Sequence, residues 1–255
     1  MPVPDATSDA ARLRLDLLLG ARGLVESRAR ARDAILRGHV MVDGMAVTKP
    51  GQLVGPDAVV TVSDPAGAYV SRAALKLKGA LEGFGLDVSG RTALDVGAST
   101  GGFTEVLLEA GAAHVIALDV GHGQMHPRIA GDSRVTSIEG LNARALTREH
   151  LGGHHVDLVV SDVSFISLKL ALPPALTLAE TGAVAVLLVK PQFEAGKAAI
   201  GKGGLLRDPD SAPAVAEDLR AWLGTLPGWR ATGLVESPIT GGDGNREFLL
   251  AGVKA

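Results

Sequence analysis

The sequence predicts an α/β protein with a mostly parallel sheet and a small domain before it. Residues 92–104 read T-A-L-D-V-G-A-S-T-G-G-F-T, an apolar strand followed by a glycine turn, and residues 105–110 continue as a helix. Strand-like and helix-like segments then alternate, which is typical of a parallel sheet with helices on both faces. Residues 63–70 have the composition of a linker, and we therefore predict a domain boundary there.

The composition excludes several classes of protein. The chain has 255 residues, of which 46% are hydrophobic, enough for one or two domains with full cores. It contains no cysteine, which excludes disulfides, thiolate nucleophiles and thiolate zinc sites. The polar N-terminus does not resemble a signal peptide, and no apolar run reaches about 18 residues. We expect a cytoplasmic protein without a membrane partner, whose residues 1–11 form a disordered tail.

Residues 12–62 are predicted to form a small basic domain, with eight lysines and arginines against five acids. Ser27 is a suitable N-cap, and Gly38 stands where a C′ glycine belongs. Asp43-Gly44 favours a tight hairpin turn. The predicted elements are helices over 12–20 and 28–37 and strands over 40–42, 45–47 and 59–62. The arginines indicate either a solvated helix face or a surface that grips phosphates.

Residues 71–255 are predicted to form the parallel sheet and its helices. Ser71 can cap the first helix, and Pro173-Pro174 should bend the third. Strands are expected to begin at residues 92, 114, 135, 156, 183, 229 and 246, and helices to cover 71–84, 105–110, 168–178 and 211–223. The last two strands have no helix between them, which suits a final antiparallel strand at the edge of the sheet.

The glycine turn after the first strand predicts a nucleotide-type site, because ligands of such sheets bind at the carboxyl ends of the strands. A phosphate loop would need a lysine after Gly102, where this chain has Phe103. The spacing of residues 97–102 also does not fit a dinucleotide fingerprint. Asp119, at the end of the second strand, either holds a ribose or caps a helix. Polar side chains end other strands at Asn142, Asp162 and Lys190.

Longer motifs resemble known families. The pattern D-V-G-A-S-T-G-G-F resembles the S-adenosylmethionine (SAM) site of FtsJ-type ribose 2′-O-methyltransferases, and Lys76, Asp162, Lys190 and Glu247 resemble their K-D-K-E tetrad. With S-D-V-S-F-I-S-L and L-V-K-P-Q-F-E-A-G-K, the chain resembles the TlyA family, ribosomal-RNA cytidine 2′-O-methyltransferases also labelled haemolysins. G-L-V-E-S-R-A-R-A and I-L-R-G-H-V-M-V-D-G resemble the RNA-binding domain of a small-subunit ribosomal protein, tyrosyl-tRNA synthetases and pseudouridine synthases.

The resemblance implies a Rossmann-like class I methyltransferase fold over residues 71–255, with a seven-stranded, mostly parallel sheet whose last strand is antiparallel. It implies SAM as the cofactor and ribosomal RNA or ribosomal subunits as the partner, without a metal, and we expect a monomer. The residues expected to bind SAM are Asp95, Gly97, Ala98, Ser99, Gly101, Gly102, Phe103, Asp119, Asn142 and Asp162. Those expected to bind RNA are Arg14, Arg28, Arg30, Arg32 and Arg37.

The tetrad residues Lys76, Asp162, Lys190 and Glu247 are expected to carry catalysis. Lys190 would serve as the base or polariser of the ribose hydroxyl, and the two acids would hold the lysines. Three other functions remain open at this point: a non-enzymatic RNA-binding assembly factor, a membrane-active haemolysin and a small-molecule methyltransferase. An amphipathic or spanning segment, which the second would need, is not evident in the sequence.

Overall fold

The computed structural model describes residues 12–255, which form two compact units divided between Ala68 and Tyr69. The division falls inside the segment predicted as a linker, where Pro65–Ala68 forms a 3-10 turn. The tail predicted over residues 1–11 lies outside the described residues. Within residues 12–255, every helix is too short or too polar to cross a bilayer.

The first unit has two helices and two small sheets. Ser27 caps the second helix by accepting a hydrogen bond from the Arg30 amide, and Asp43 and Gly44 both have positive φ in the predicted hairpin turn. The elements are β1 Leu13–Arg14, α1 Leu15–Ala21, α2 Arg28–Leu36, β2 Val40–Val42, β3 Met45–Ala46, β4 Leu53–Val54 and β5 Val60–Val62. The helix expected over 12–20 therefore begins later, because Leu13 and Arg14 pair with β4.

The second unit is built on a seven-stranded sheet. Its helices are α3 Ala74–Phe84, α4 Gly102–Glu109, α5 Pro127–Ala130, α6 Leu168–Ala171, α7 Pro173–Leu178, α8 Pro191–Glu194 and α9 Ala212–Leu223. Its strands are β6 Thr92–Val96, β7 His114–Leu118, β8 Val135–Ile138, β9 Leu158–Ser161, β10 Val184–Val189, β11 Trp229–Glu236 and β12 Phe248–Lys254. The predicted elements are present, although α3 begins at Ala74 with Ala73 and not Ser71 at its N-cap, and Pro173 starts a new helix where a bend was expected.

The strand order is β11-β12-β10-β9-β6-β7-β8. Strands β6 to β10 are parallel to one another, and β12 runs antiparallel to both β10 and β11. The final strand, expected at the edge, is thus the second strand from the edge, with β11 outermost. Because β12 is antiparallel, its N-terminal end lies at the carboxyl edge of the parallel strands.

Helices cover both faces of the sheet, and the strands alternate between two cores. In β10, Leu187 and Val189 face one core, while Val186 and Leu188 face the other. All four are fully buried, as expected of a central strand covered on both sides. Leu77 of α3 and Leu107 of α4 belong to the second core, and Leu172 and Leu219, beside α6 and in α9, belong to the first.

Gly102 is required where α3 and α4 meet. A Cβ at this position would lie 2.8 Å from Cβ of Ser71 and 3.3 Å from the Ala74 amide nitrogen. We predict that Gly102→Ala lowers the free energy of unfolding by about 1–3 kcal/mol through overpacking, measured by chemical denaturation. The control is Gly83→Ala in α3, where a Cβ meets nothing within 4 Å, and which should raise stability by up to about 1 kcal/mol. A Gly102→Ala protein as stable as the wild type would contradict this packing role.

Candidate active site

A cavity of about 460 Å³ opens at the carboxyl ends of β6, β7 and β9. Its polar lining comes from loops that follow strands and consists of Ser99, Asp119, Gln124, Asn142, Asp162 and Ser164. Its apolar lining includes Leu118, Val120, Leu141, Phe165 and Ile166. The cavity therefore combines an apolar slot with a few convergent polar groups, which is the usual form of a small-molecule site.

The glycine turn after β6 is held in shape by Asp119. Gly97 has φ +87°, and a Cβ on it would lie 3.0 Å from the backbone of Val163. Ser99 also has positive φ, and its amide donates to Oδ2 of Asp119 at 2.8 Å. The Gly121 amide donates to Oδ1 at 2.7 Å. Asp119 is thus not a helix N-cap, and its oxygens keep lone pairs that can accept from hydroxyl groups in the cavity.

Half of the residues expected to bind SAM lie behind the cavity and do not line it. Gly102 packs against Ser71, and Phe103 is buried in the core shared by α3 and α4. Gly101 has φ +95° and approaches Ile129. The remaining two, Asp95 and Ala98, are also buried. These residues shape the turn from behind, while Gly97, Ser99, Asp119, Asn142 and Asp162 line the cavity.

Asp95 is fully buried at the end of β6. Its Oδ2 accepts from the Thr104 hydroxyl at 2.7 Å, and its Oδ1 has no hydrogen-bond partner within residues 12–255. Burial raises the pKa of Asp95 to about 7, the Thr104 hydrogen bond opposes this rise, and the charges of Asp162 and Asp119 add to it. A buried oxygen without a partner directly behind the turn is suited to a ligand or water that reaches it.

The four tetrad residues form two ion pairs. Nζ of Lys190 lies 2.6 Å from Oδ1 of Asp162 and also donates to the Ser164 hydroxyl at 2.7 Å. Nζ of Lys76, on α3, lies 2.5 Å from Oε2 of Glu247. Both lysines are largely buried, with 8% and 5% of their surface exposed for Lys190 and Lys76, so their charges depend on these partners.

The sheet register brings the two pairs to the same edge. Val189, the last residue of β10, is paired with Phe248, the first residue of β12. The next residue on each side is Lys190 after β10 and Glu247 before β12, so the two leave the sheet at the same level. Glu247 therefore precedes the last strand, where the sequence placed it within that strand.

Two residues beside Lys190 were not singled out from the sequence. Ser164 lines the cavity and holds Lys190. Phe165 has φ +66° and is 89% exposed at the cavity, with its ring 5.1 Å from that of Phe193. Both lie in the motif S-D-V-S-F-I-S-L, which indicated a functional site only through its resemblance to a family and not through these two residues.

The basic face of the first unit is already engaged in ion pairs. Both oxygens of the buried Asp16 accept from Arg14, and Arg28 donates to the same carboxylate at 3.0 Å. The Arg14 guanidinium, followed by Arg28, holds the pKa of Asp16 at about 2. These two arginines are fixed in place, while their outer N–H groups remain at the surface, where 41% of Arg14 and 54% of Arg28 is exposed.

The other three expected RNA-binding arginines differ from one another. Arg30 pairs with Glu26 and donates to the Ala66 carbonyl, and Arg37 bridges two acids. Arg37 is largely covered, because Asp33 and Asp64 both bind it. Arg32 is exposed. Of the five arginines, two bind the Asp16 carboxylate, two bind other groups of the same domain, and Arg32 is exposed.

Asp95 should make the stability of the second unit depend on pH. Its pKa of about 7 exceeds the value of about 4 in an unfolded chain, so the folded state favours the neutral carboxyl. The free energy of unfolding should therefore fall as the pH rises from about 4 to about 7 and then level off. This part of the fall should be absent in Asp95→Asn, as measured by chemical denaturation. Parallel curves for the two proteins would contradict the prediction.

The two units match two family models. Residues 69–254 match the FtsJ-like methyltransferase family, and residues 13–60 match the S4 domain. Within residues 12–255, no group of three or more His, Asp and Glu side chains is placed to hold a metal ion.

Named relatives extend over nearly the whole chain. The 16S/23S rRNA (cytidine-2′-O)-methyltransferase TlyA of Mycobacterium tuberculosis is 48% identical, over 94% of this chain and 90% of that protein. Hemolysin A of Brachyspira hyodysenteriae is 39% identical, over 93% and 98%. The solved structure named "Putative hemolysin from Streptococcus thermophilus" is 38% identical, with a TM-score of 0.75, covering 96% of this chain and 90% of that chain. The chain therefore belongs to the FtsJ-like methyltransferase family, alongside TlyA, with an S4 domain before its methyltransferase domain.

Proposed function

We propose that this protein transfers a methyl group from SAM to the 2′-hydroxyl of a cytidine in ribosomal RNA. The observation that carries the proposal is that two ion pairs with buried lysines, Lys190–Asp162 and Lys76–Glu247, lie at the same edge of the sheet, where Asp162 also lines a nucleoside-sized cavity. The match to an rRNA (cytidine-2′-O)-methyltransferase at 48% identity supports the substrate class.

The residues around the cavity fit SAM. Gly97 brings the backbone close to the cavity without a side chain, and Asp119 presents a carboxylate suited to a ribose hydroxyl pair. Leu118, Leu141 and Ile166 line an apolar slot of the kind that an adenine ring fills. When bound, SAM supplies a methyl group activated by a positively charged sulfur. The absence of a phosphate-loop lysine after Gly102 agrees with a cofactor that has no phosphate.

The lysines suit a reaction at a hydroxyl oxygen. A ribose hydroxyl is a weak nucleophile, and its oxygen must lose a proton as it takes up the methyl group. An N–H of Lys190 can donate to that oxygen and stabilise the negative charge that develops there, while the hydroxyl proton passes to water. Asp162 and Ser164, which line the cavity, both bind the Lys190 amine and so fix its position. Lys76, fixed by Glu247, adds a second positive charge at the same edge of the sheet.

The S4 domain supplies a surface for phosphates. Arg14 and Arg28 each donate some of their N–H groups to Asp16, and their other N–H groups remain at the surface. Such fixed guanidinium groups can grip phosphate oxygens, which gives affinity and orientation without reading sequence. The methyltransferase domain would then receive the reacting nucleotide.

Lys190→Ala tests the catalytic assignment. We predict that transfer of labelled methyl from SAM to unmodified ribosomal subunits falls by at least about 100-fold, because the group that polarises the hydroxyl is lost. SAM affinity, measured by calorimetry, should stay near the wild-type value. The control is Lys169→Ala, which removes an exposed lysine on α6. Full activity of Lys190→Ala would refute the role of this lysine.

The S4 surface can be tested by the salt dependence of RNA binding. We predict that the double variant Arg28→Ala with Arg32→Ala binds RNA more weakly. The plot of log affinity against log salt should become less steep by about 1 to 2, because fewer counterions are released from the RNA when fewer phosphates are contacted. Arg220→Ala, which removes an exposed arginine on α9, should leave the slope unchanged. An unaltered slope in the double variant would show that these arginines do not contact phosphates.

A further inference from the structure

Two short segments beside the cavity, residues 162–168 and 190–194, contact each other at both ends. At one end, Lys190 binds Asp162 and the hydroxyl of Ser164. At the other end, four residues further along the second segment, Oε2 of Glu194 accepts from the Ser167 hydroxyl at 2.5 Å and Oε1 accepts from the Leu168 amide at 2.8 Å. The loop of residues 162–168 is thus fastened before and after its middle by one stretch of chain, residues 190–194.

At the middle of the 162–168 loop, Phe165 is exposed, while Val163 and Ile166 on either side of it pack against the core. Phe165 has a positive φ, which is unfavourable for a bulky residue, and its side chain is 89% exposed. Its ring contacts Phe193, which lies on the same short helix as Glu194. A strained backbone of this kind persists only where the surroundings fix it from several sides. The contacts of Glu194 provide that fixation at the far end of the loop.

We propose that Glu194 is a positioning residue for methyl transfer, and the inference rests on the function proposed above. Glu194 does not line the cavity. By anchoring Ser167 and Leu168, it sets the conformation of the 162–168 loop and thereby the place of the Ser164 hydroxyl. Ser164 in turn directs the Lys190 amine, 2.7 Å away. When the anchor is lost, the loop can relax, and the amine shifts relative to the reacting oxygen.

This arrangement predicts a specific kinetic signature. Glu194→Ala should lower kcat by about 10-fold to 100-fold, because a displacement of about 1 Å in a reacting group has costs of this order. SAM affinity should fall by less than kcat does, because Asp119 and the glycine turn are untouched and only the cavity lining from the 162–168 loop shifts. Glu194→Gln should recover most of the activity, because its amide oxygen can accept from the Leu168 amide while its amide nitrogen donates to the Ser167 hydroxyl.

The test compares kcat, SAM affinity and unfolding temperature in four proteins: the wild type, Glu194→Ala, Glu194→Gln and Asp208→Ala. Asp208 is the control, because its carboxylate also caps a helical turn, through the Asp210 amide, and does not line the cavity. If Glu194→Ala does not fold, it is replaced in the test by Ser167→Ala, which removes one of the two hydrogen bonds of Glu194. A loss of kcat that exceeds the loss of SAM affinity, rescue by glutamine and an active control are the expected results.

Other outcomes overturn the inference. A kcat of Glu194→Ala within about twofold of the wild type would show that the anchor does not position the amine. An equal loss in Asp208→Ala, or a loss of activity that only follows the unfolding temperature, would show a purely structural role. A wild-type protein that binds SAM and methylates no ribosomal subunit would instead refute the proposed function itself, and the two failures are therefore distinguishable.

Discussion

Two buried lysines, each paired with a carboxylate, determine the structure at the carboxyl edge of the sheet. Removing one partner of such a pair leaves an uncompensated charge and costs about 3–5 kcal/mol, so each pair constrains the fold around it. Asp162 follows β9 and Lys190 follows β10, and parallel strands bring both to one edge. Glu247 reaches the same edge only because β12 is antiparallel and begins there. The reversed last strand is therefore what completes the four-residue arrangement.

The S4 domain also contains a buried charge held by ion pairs, but there the buried group is an acid and its partners are basic. There one buried carboxylate, Asp16, holds two exposed arginines, and its pKa of about 2 reflects their charge. The count of arginines overstates the free positive charge, because Arg30 and Arg37 are also paired with acids. What the domain offers to a polyanion is a small number of guanidinium groups in fixed positions, which lose little conformational freedom on binding.

Much of the fold and part of the site could be predicted from the sequence. The strong apolar runs and the Asp43-Gly44 turn determine their elements locally, whereas the two-residue strands β1 and β4 are too short for periodicity to reveal. A glycine motif does not distinguish ligand contact from packing, and Gly102, which the family pattern places in the SAM site, also packs closely against Ser71. The contacts of Ser164 and Glu194 join a loop to a short helix more than 20 residues away, and no local pattern encodes such contacts.

The most direct test of the central claim is the identity of the methylated atom. Ribosomal RNA lacking the modification would be incubated with the protein and labelled SAM, digested to nucleosides and separated by chromatography with mass spectrometry. Because paired lysines at this edge suit a hydroxyl oxygen, the account predicts that the label appears in 2′-O-methylcytidine. Label on a nucleobase nitrogen or carbon would contradict it, because activation of a ribose hydroxyl would then play no part in the reaction.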